Sequence, residues 1–224
     1  MEERDMPLAS PRSEAAGDNV PRWMPVAVVI LILAVLAVAG ALVYSVFKGN
    51  DVVPVTAQER DIVLYEDMVA KNPQDPRARA SLAQAYLDAG RYGDAISEAD
   101  RAIKIKPEDL TAYYVKAKAQ RLAGSPDASV KTYDQILGFL PDDPEAHYGK
   151  GIALEAQGDI DGAIAELEAS IKAQPVAADI RVELGRLYEN KGEPRKAREQ
   201  YKEALRYVPD YAPARQALER LGAE

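Results

Sequence analysis

Proline recurs every 34 residues in this chain, at Pro73, Pro107, Pro141, Pro175 and Pro209. Glycine keeps the same interval at Gly90, Gly124, Gly158 and Gly192. A fixed period of this length marks stacked helix–turn–helix units, each unable to bury its own apolar face and completed by its neighbours. Counting a unit from residue 76, the glycine falls at the fifteenth position. There a helix ends in a left-handed residue that only Gly adopts without strain. The proline falls at the thirty-second position, where a missing N–H and the ring stop the second helix.

The positions between these markers carry the packing. Small residues fill the eighth position (Ala83, Ala117, Gly151, Gly185) and the twentieth (Ala95, Ser129, Ala163, Ala197), so two antiparallel helices can approach closely. Larger apolar side chains recur where a stacked neighbour needs filling, at Ile96, Val130 and Ile164 and at Ile103, Leu137, Ile171 and Leu205. Tyr86, Leu154 and Tyr188 share a further position.

This pattern resembles the tetratricopeptide repeat (TPR) family. The run Leu184, Gly185, Tyr188, Gly192, Ala197, Tyr201, Ala204 and Pro209 matches its motif almost completely. The resemblance implies an all-α, right-handed TPR α-solenoid with four full repeats at 76–109, 110–143, 144–177 and 178–211. Unit two departs most, because Lys116 and Gln120 stand at usually apolar positions and predict looser packing there. Pro126 and Pro194 fall early in second helices, where a first-turn proline is tolerated. Residues 57 to 71 read as the second helix of an incomplete leading unit, with Ile62, Leu64, Tyr65 and Met68 as its apolar side chains. A cap helix is predicted over 212–222, its Leu218 and Leu221 covering the last full unit. The solenoid region is thus 57–224.

A second segment constrains the layout. Val26 to Phe47 is 22 residues without a charge, long enough at about 1.5 Å per residue to cross a hydrocarbon core of roughly 30 Å. With Trp23 and Tyr44 at headgroup level and Arg22 and Lys48 outside, residues 23–47 are expected to form one transmembrane helix. A cleaved signal peptide is the rival, given Ala37, Ala39 and Ala41, but the long acidic tail and the length of the apolar run oppose it. Residues 1–22 read as a disordered tail and 48–56 as a short linker. Arg12 and Arg22 on one flank balance Lys48 and Arg60 on the other, so the positive-inside count ties. The layout of a signal anchor favours a cell-membrane protein with an extracytoplasmic repeat domain.

Charge narrows the partners. The net charge is −8, of which the first 47 residues supply −2 (three basic, five acidic) and the rest −6. An acidic, mixed-charge surface argues against nucleic acid and against a second, electrostatic membrane contact. The chain has no cysteine, which excludes disulfides and a thiolate metal site.

No catalytic constellation stands out, so the chain reads as no enzyme, with no cofactor and no metal expected. The only histidine, His147, falls at the fourth position of unit three and reads as structural, since metal sites need several converging donors. Asp142, Asp143, Glu166 and Glu168 read as helix-start or solvated surface charge. Gly149 and Gly151 sit inside a first helix, so they form no phosphate loop.

The family resemblance implies that the second, fifth, ninth, twelfth and thirteenth positions face a concave groove. Carried onto this sequence, that set yields a peptide-binding groove of Arg77, Gln84, Tyr114, Lys118, Arg121, Tyr148, Ile152, Glu155, Arg186 and Asn190. Tyr114, Tyr148 and Ile152 form an apolar platform beside Lys118 and Arg121, which can receive an acidic group. The Lys and Asn set with which some family members clamp a terminal carboxylate is missing, its places being taken by Ala80, Gln84, Val115, Glu145 and Gly149. The chain also looks like anchored bacterial envelope factors of the family. That resemblance implies a membrane-tethered, non-enzymatic scaffold for protein or peptide partners, serving cytochrome c-type biogenesis or secretion. The alternative is a permanent structural subunit of a larger membrane complex.

Overall fold

The computed structural model describes Leu31, residues 35 to 40 and residues 56 to 222. The tail expected at 1–22, most of the span expected at 23–47 and nearly all of the linker lie outside the described residues. Within that span, Leu31 and residues 35 to 40 are helical and exposed. Among the described residues no helix is long and apolar enough to cross a membrane. The chain divides into two compact units, Met1–Val53 and Pro54–Glu224, and the helices below belong to the second.

Ten helices follow one another, with no strand among the described residues. The leading helix α1 (Ala57–Lys71) is followed by four hairpins. These are α2 (Pro76–Asp88) with α3 (Tyr92–Ile105), α4 (Leu110–Leu122) with α5 (Pro126–Phe139), α6 (Pro144–Gln157) with α7 (Ile160–Ala173), and α8 (Ala178–Asn190) with α9 (Pro194–Tyr207). The last is α10 (Ala212–Arg220). Each helix packs on its neighbours in sequence, and α2 also meets α4 and α4 meets α6. First helices therefore form an inner row, which is what makes them candidates to line a groove.

Local chemistry accounts for these boundaries. Thr56 and Glu59 close a reciprocal capping box on α1. Asp75, Asp109 and Asp143 cap α2, α4 and α6 by accepting backbone N–H groups that have no intrahelical partner. Pro126 and Pro194 open α5 and α9, where a missing N–H costs nothing. Gly90, Gly124, Gly158 and Gly192 all have positive φ, between 73° and 87°. The residue after each donates back to the eleventh-position carbonyl, at 2.8 Å for Arg91 to Tyr86 and 3.0 Å for Asp159 to Leu154.

The core is thin and alanine-rich. The small residues at the eighth and twentieth positions are buried in all four units. Ser129, which stands where the other units have Ala, donates its hydroxyl to the Ala117 carbonyl at 2.8 Å and so buries no unpaired donor. Unit two holds its polar substitutions the same way. The Thr132 hydroxyl donates to buried Gln120 at 2.7 Å, and Lys116 pairs with Asp100 at 2.7 Å. Polar pairing replaces apolar contact there.

Position four braces three units. Arg79 donates to the Pro73 carbonyl at 2.9 Å and to Glu98 at 2.7 Å. Arg181 donates to the Pro175 carbonyl at 3.0 Å and to Gln200 at 3.3 Å. His147 stands in the same relation, with Nε2 3.0 Å from the Pro141 carbonyl and Nδ1 2.6 Å from Glu166. Each side chain ties the end of the preceding unit to both helices of its own. In unit two the position holds Tyr113, whose ring lies 5.9 Å from that of Phe139.

The reading of Glu166 and Glu168 as solvated charge is corrected by these contacts. Glu166 receives His147 and also Lys150 at 2.7 Å. Glu168 accepts the Tyr188 hydroxyl at 2.6 Å, and Glu66 accepts that of Tyr86 at the same distance. These two bonds repeat one geometry, a second-helix carboxylate fastening the next first helix. Both carboxylates are consumed by the stacking.

Candidate peptide groove

Two cavities open along the first helices. The larger, of about 520 Å³, is lined by α1, α2 and the start of α4, including Asp61, Tyr65, Arg77, Gln84, Asp88 and Thr111. Arg77 and Gln84 of the expected groove therefore meet here. The Gln84 amide is committed to Asp88 at 2.7 Å.

The smaller cavity, of about 170 Å³, gathers Lys118 and Arg121 from α4, Tyr133 from α5, and Glu145, Tyr148, Gly149 and Ile152 from α6. Four residues expected from the pattern, Lys118, Arg121, Tyr148 and Ile152, come together around it. Lys118 pairs with Glu145 at 3.0 Å and lies 5.9 Å from the centre of the Tyr114 ring. Tyr114 lines neither cavity. Its hydroxyl donates to Asp143 at 2.5 Å, the same carboxylate oxygen that caps α6, and burial followed by this bond raises its pKa. Its ring meets Tyr133 edge to face at 6.4 Å.

The far end of the expected groove is closed by its own charges. Glu155 and Arg186 are joined by two bonds of 2.6 Å, and Arg186 also reaches Glu183 at 2.8 Å. Hydrogen bonding to Glu155 is the main cause of the raised Arg186 pKa. Asn190 is exposed and lines neither cavity.

Sequence reasoning missed Tyr133 as a lining residue, and with it the part that Gly149 plays. Tyr133 lies on α5, a second helix, and is 1% exposed. Its phenol reaches the groove because Gly149 has no side chain, and a Cβ at Gly149 would run into the end of the Tyr133 ring. Burial pushes the Tyr133 pKa up to about 12. A glycine in mid-helix opposite an aromatic of the preceding unit was the available signal. Among the described residues no cluster of three or more histidine or carboxylate side chains could hold a metal ion.

Helical hairpins stacked in a row, presenting a mixed polar and apolar groove on their first helices, define a repeat solenoid. The tetratricopeptide repeat profile matches in overlapping stretches from residue 64 to residue 223, and the chain belongs to that family. Among solved structures it is similar to MamA of Desulfovibrio magneticus RS-1, with 17% identity, 70% of this chain and 88% of that chain covered, and a TM-score of 0.64. It is also similar to YrrB, described as a TPR protein with an unusual peptide-binding site (21% identity, 80% and 88% covered, TM-score 0.60). A third is TTC0263, a thermophilic TPR protein of Thermus thermophilus (22% identity, 82% and 95% covered, TM-score 0.60). At these identities the likeness concerns the fold. The U-box domain-containing protein 70 of Oryza sativa subsp. japonica is 31% identical over 71 residues, which are 32% of this chain and 9% of that protein.

Proposed function

We propose that this protein is a non-enzymatic scaffold that holds an extended segment of a partner protein along its first helices. The observation that carries the reading is the convergence of Lys118, Arg121, Tyr148 and Ile152, from two successive units, on one cavity. Cations beside aromatic and aliphatic surface suit a peptide with acidic and apolar side chains. The related YrrB, by its description, has a peptide-binding site, which supports a groove of this kind.

The uncharged segment from Val26 to Phe47 supports tethering through one membrane helix. Tethering raises the effective concentration of membrane-bound partners, which suits assembly of envelope proteins such as c-type cytochromes or secretion components. In this reading the repeats lie outside the cytoplasm, and protease treatment of intact spheroplasts tests that: survival of the repeat domain overturns it.

Crosslinking in native membranes, followed by identification of bound polypeptides, tests the groove. The Lys118→Glu and Arg121→Glu double variant is expected to lose partners while staying folded, and unaltered capture overturns the assignment. A second reading, a permanent subunit of a larger complex, draws support from exposed Phe139, Leu140, Val176 and Val208 near the ends of second helices. One stoichiometric partner set retained by the double variant favours that alternative.

A further inference from the structure

The repeats can be compared with one another at the point where the ninth and twelfth positions meet across a junction. Glu155 (twelfth) binds Arg186 (ninth of the next unit), and Glu189 binds Arg220 in the same relation at 2.7 Å. At the junction between units two and three the corresponding residues are Arg121 and Ile152. Here the cation stands where those two junctions have the carboxylate, and an aliphatic side chain stands where they have the arginine; between units one and two the pair is Leu87 and Lys118.

The twenty-fourth position sharpens the comparison. In unit four it is Tyr201, fully buried, whose hydroxyl donates to Glu189. Glu189 is thus gripped by a tyrosine and an arginine together. In unit two the same position is Tyr133, equally buried. Neither the Tyr133 hydroxyl nor the Arg121 guanidinium has a hydrogen-bond or ion-pair partner among the described residues, yet both residues line the 170 Å³ cavity. The one carboxylate in the lining, Glu145, is taken by Lys118. The cavity therefore holds two cations against one carboxylate, and a phenol aimed at it without an acceptor. Arg121 is only partly buried and the Tyr133 hydroxyl is not sealed from solvent, so both stay open to an acceptor that enters the cavity.

We infer that the cavity between Arg121 and Tyr133 is a subsite for a carboxylate of the bound partner, which takes the place that Glu189 fills in unit four. The inference rests on the groove reading above and deepens it. The carboxylate accepts from the Tyr133 hydroxyl and from Arg121, while Ile152 and the Tyr148 ring receive an adjoining apolar side chain. Gly149 is required, since any side chain there would displace the phenol. An acidic side chain and a chain terminus both supply this chemistry.

The test uses the full chain with labelled tyrosine rings and isoleucine methyl groups, observed by NMR. Tyr133 and Ile152 signals are assigned from Tyr133→Phe and Ile152→Val. Three capped tripeptides are titrated: Leu-Glu-Leu amide, Leu-Gln-Leu with a free C-terminus, and Leu-Gln-Leu amide. At least one acid is expected to shift Tyr133 and Ile152 with roughly tenfold tighter binding than the amide, and which acid does so identifies the source. Arg121→Gln and Tyr133→Phe should each lose about that factor. Arg121→Glu should rebuild the bond of unit four, shifting Tyr133 without ligand and closing the site. Equal binding of all three peptides, reported by Ile152, overturns the carboxylate subsite and leaves the groove standing. No response of Tyr133 to either acid up to about 10 mM overturns it as well, the groove then being judged by capture in native membranes.

Discussion

Arg186 holds both carboxylate oxygens of Glu155, each at 2.6 Å, across the junction between the third and fourth repeats. The planar guanidinium matches the carboxylate geometry, which fixes the angle between the two units as well as joining them. Its third bond, to Glu183, is made within α8. One cation is thereby shared between two acidic side chains.

Arg186→Gln is expected to lower stability by about 1 kcal/mol, because the pair is partly exposed and screened by solvent. It also leaves Glu155 and Glu183 repelling each other. Urea denaturation of the variant should show a smaller difference from wild type as salt is raised. A loss independent of salt would contradict a mainly electrostatic role.

Two glycines should respond in opposite directions. A Cβ at Gly185 would stand 2.5 Å from the Tyr201 ring, so Gly185→Ala is expected to overpack the last hairpin by about 1–3 kcal/mol, exceeding its helix-propensity gain. Gly138, in the last turn of α5, has nothing within 4 Å of such an atom. Gly138→Ala should raise stability by about 0.5–1 kcal/mol. Thermal melts of the pair check both signs.

The position-four brace predicts a cost without any ligand. Arg181 is nearly buried, and its removal strands the Pro175 carbonyl and Gln200. Arg181→Ala should lower stability by about 1–3 kcal/mol. Hydrogen exchange should accelerate at the junction around Pro175 more than in α2 and α3. Uniform acceleration would argue against a local brace.

Alkaline pH should loosen the solenoid in a defined window. Tyr133 and Tyr86 are both pushed up to about 12, mainly by burial, with Glu66 adding to the effect at Tyr86 and Arg91 opposing it. An unfolded phenol titrates near pH ~10, so the native state keeps these protons longer. The stability they contribute is complete below about pH 10 and is lost as pH rises through about 12. Phenolate absorbance of the native protein should show late-ionising tyrosines, with one fewer in Tyr133→Phe. Ionisation of every tyrosine near pH ~10 in the folded protein would refute this.

Much of the fold is legible because its punctuation is local. Gly90 and Pro107 act on their own backbone, through positive φ and a missing N–H, and need no neighbour to do so. The small residues at Ala83 and Ala95 likewise announce a close helix pair. The groove was legible in part because Lys118, Arg121, Tyr148 and Ile152 stand at positions that the family resemblance directs inward, and helical spacing sets such positions along one stripe. Tyr133 was not, because its access to the groove depends on Gly149 of another unit. Glu166 and Glu168 read as surface charge until the stacked first helices brought His147, Lys150 and Tyr188 to them.

By itself the sequence determined the period, the helix ends and the all-α stacked architecture, since each follows from the conformational preference of a residue at its own position. Only the tertiary structure decided which charges are spent and which remain available. Glu155 meets Arg186, Glu189 meets Tyr201 and Arg220, and Arg121 meets no carboxylate among the described residues. That partition depends on distances between side chains more than thirty residues apart, or on opposite helices of a hairpin. Such distances arise only when the units pack against one another.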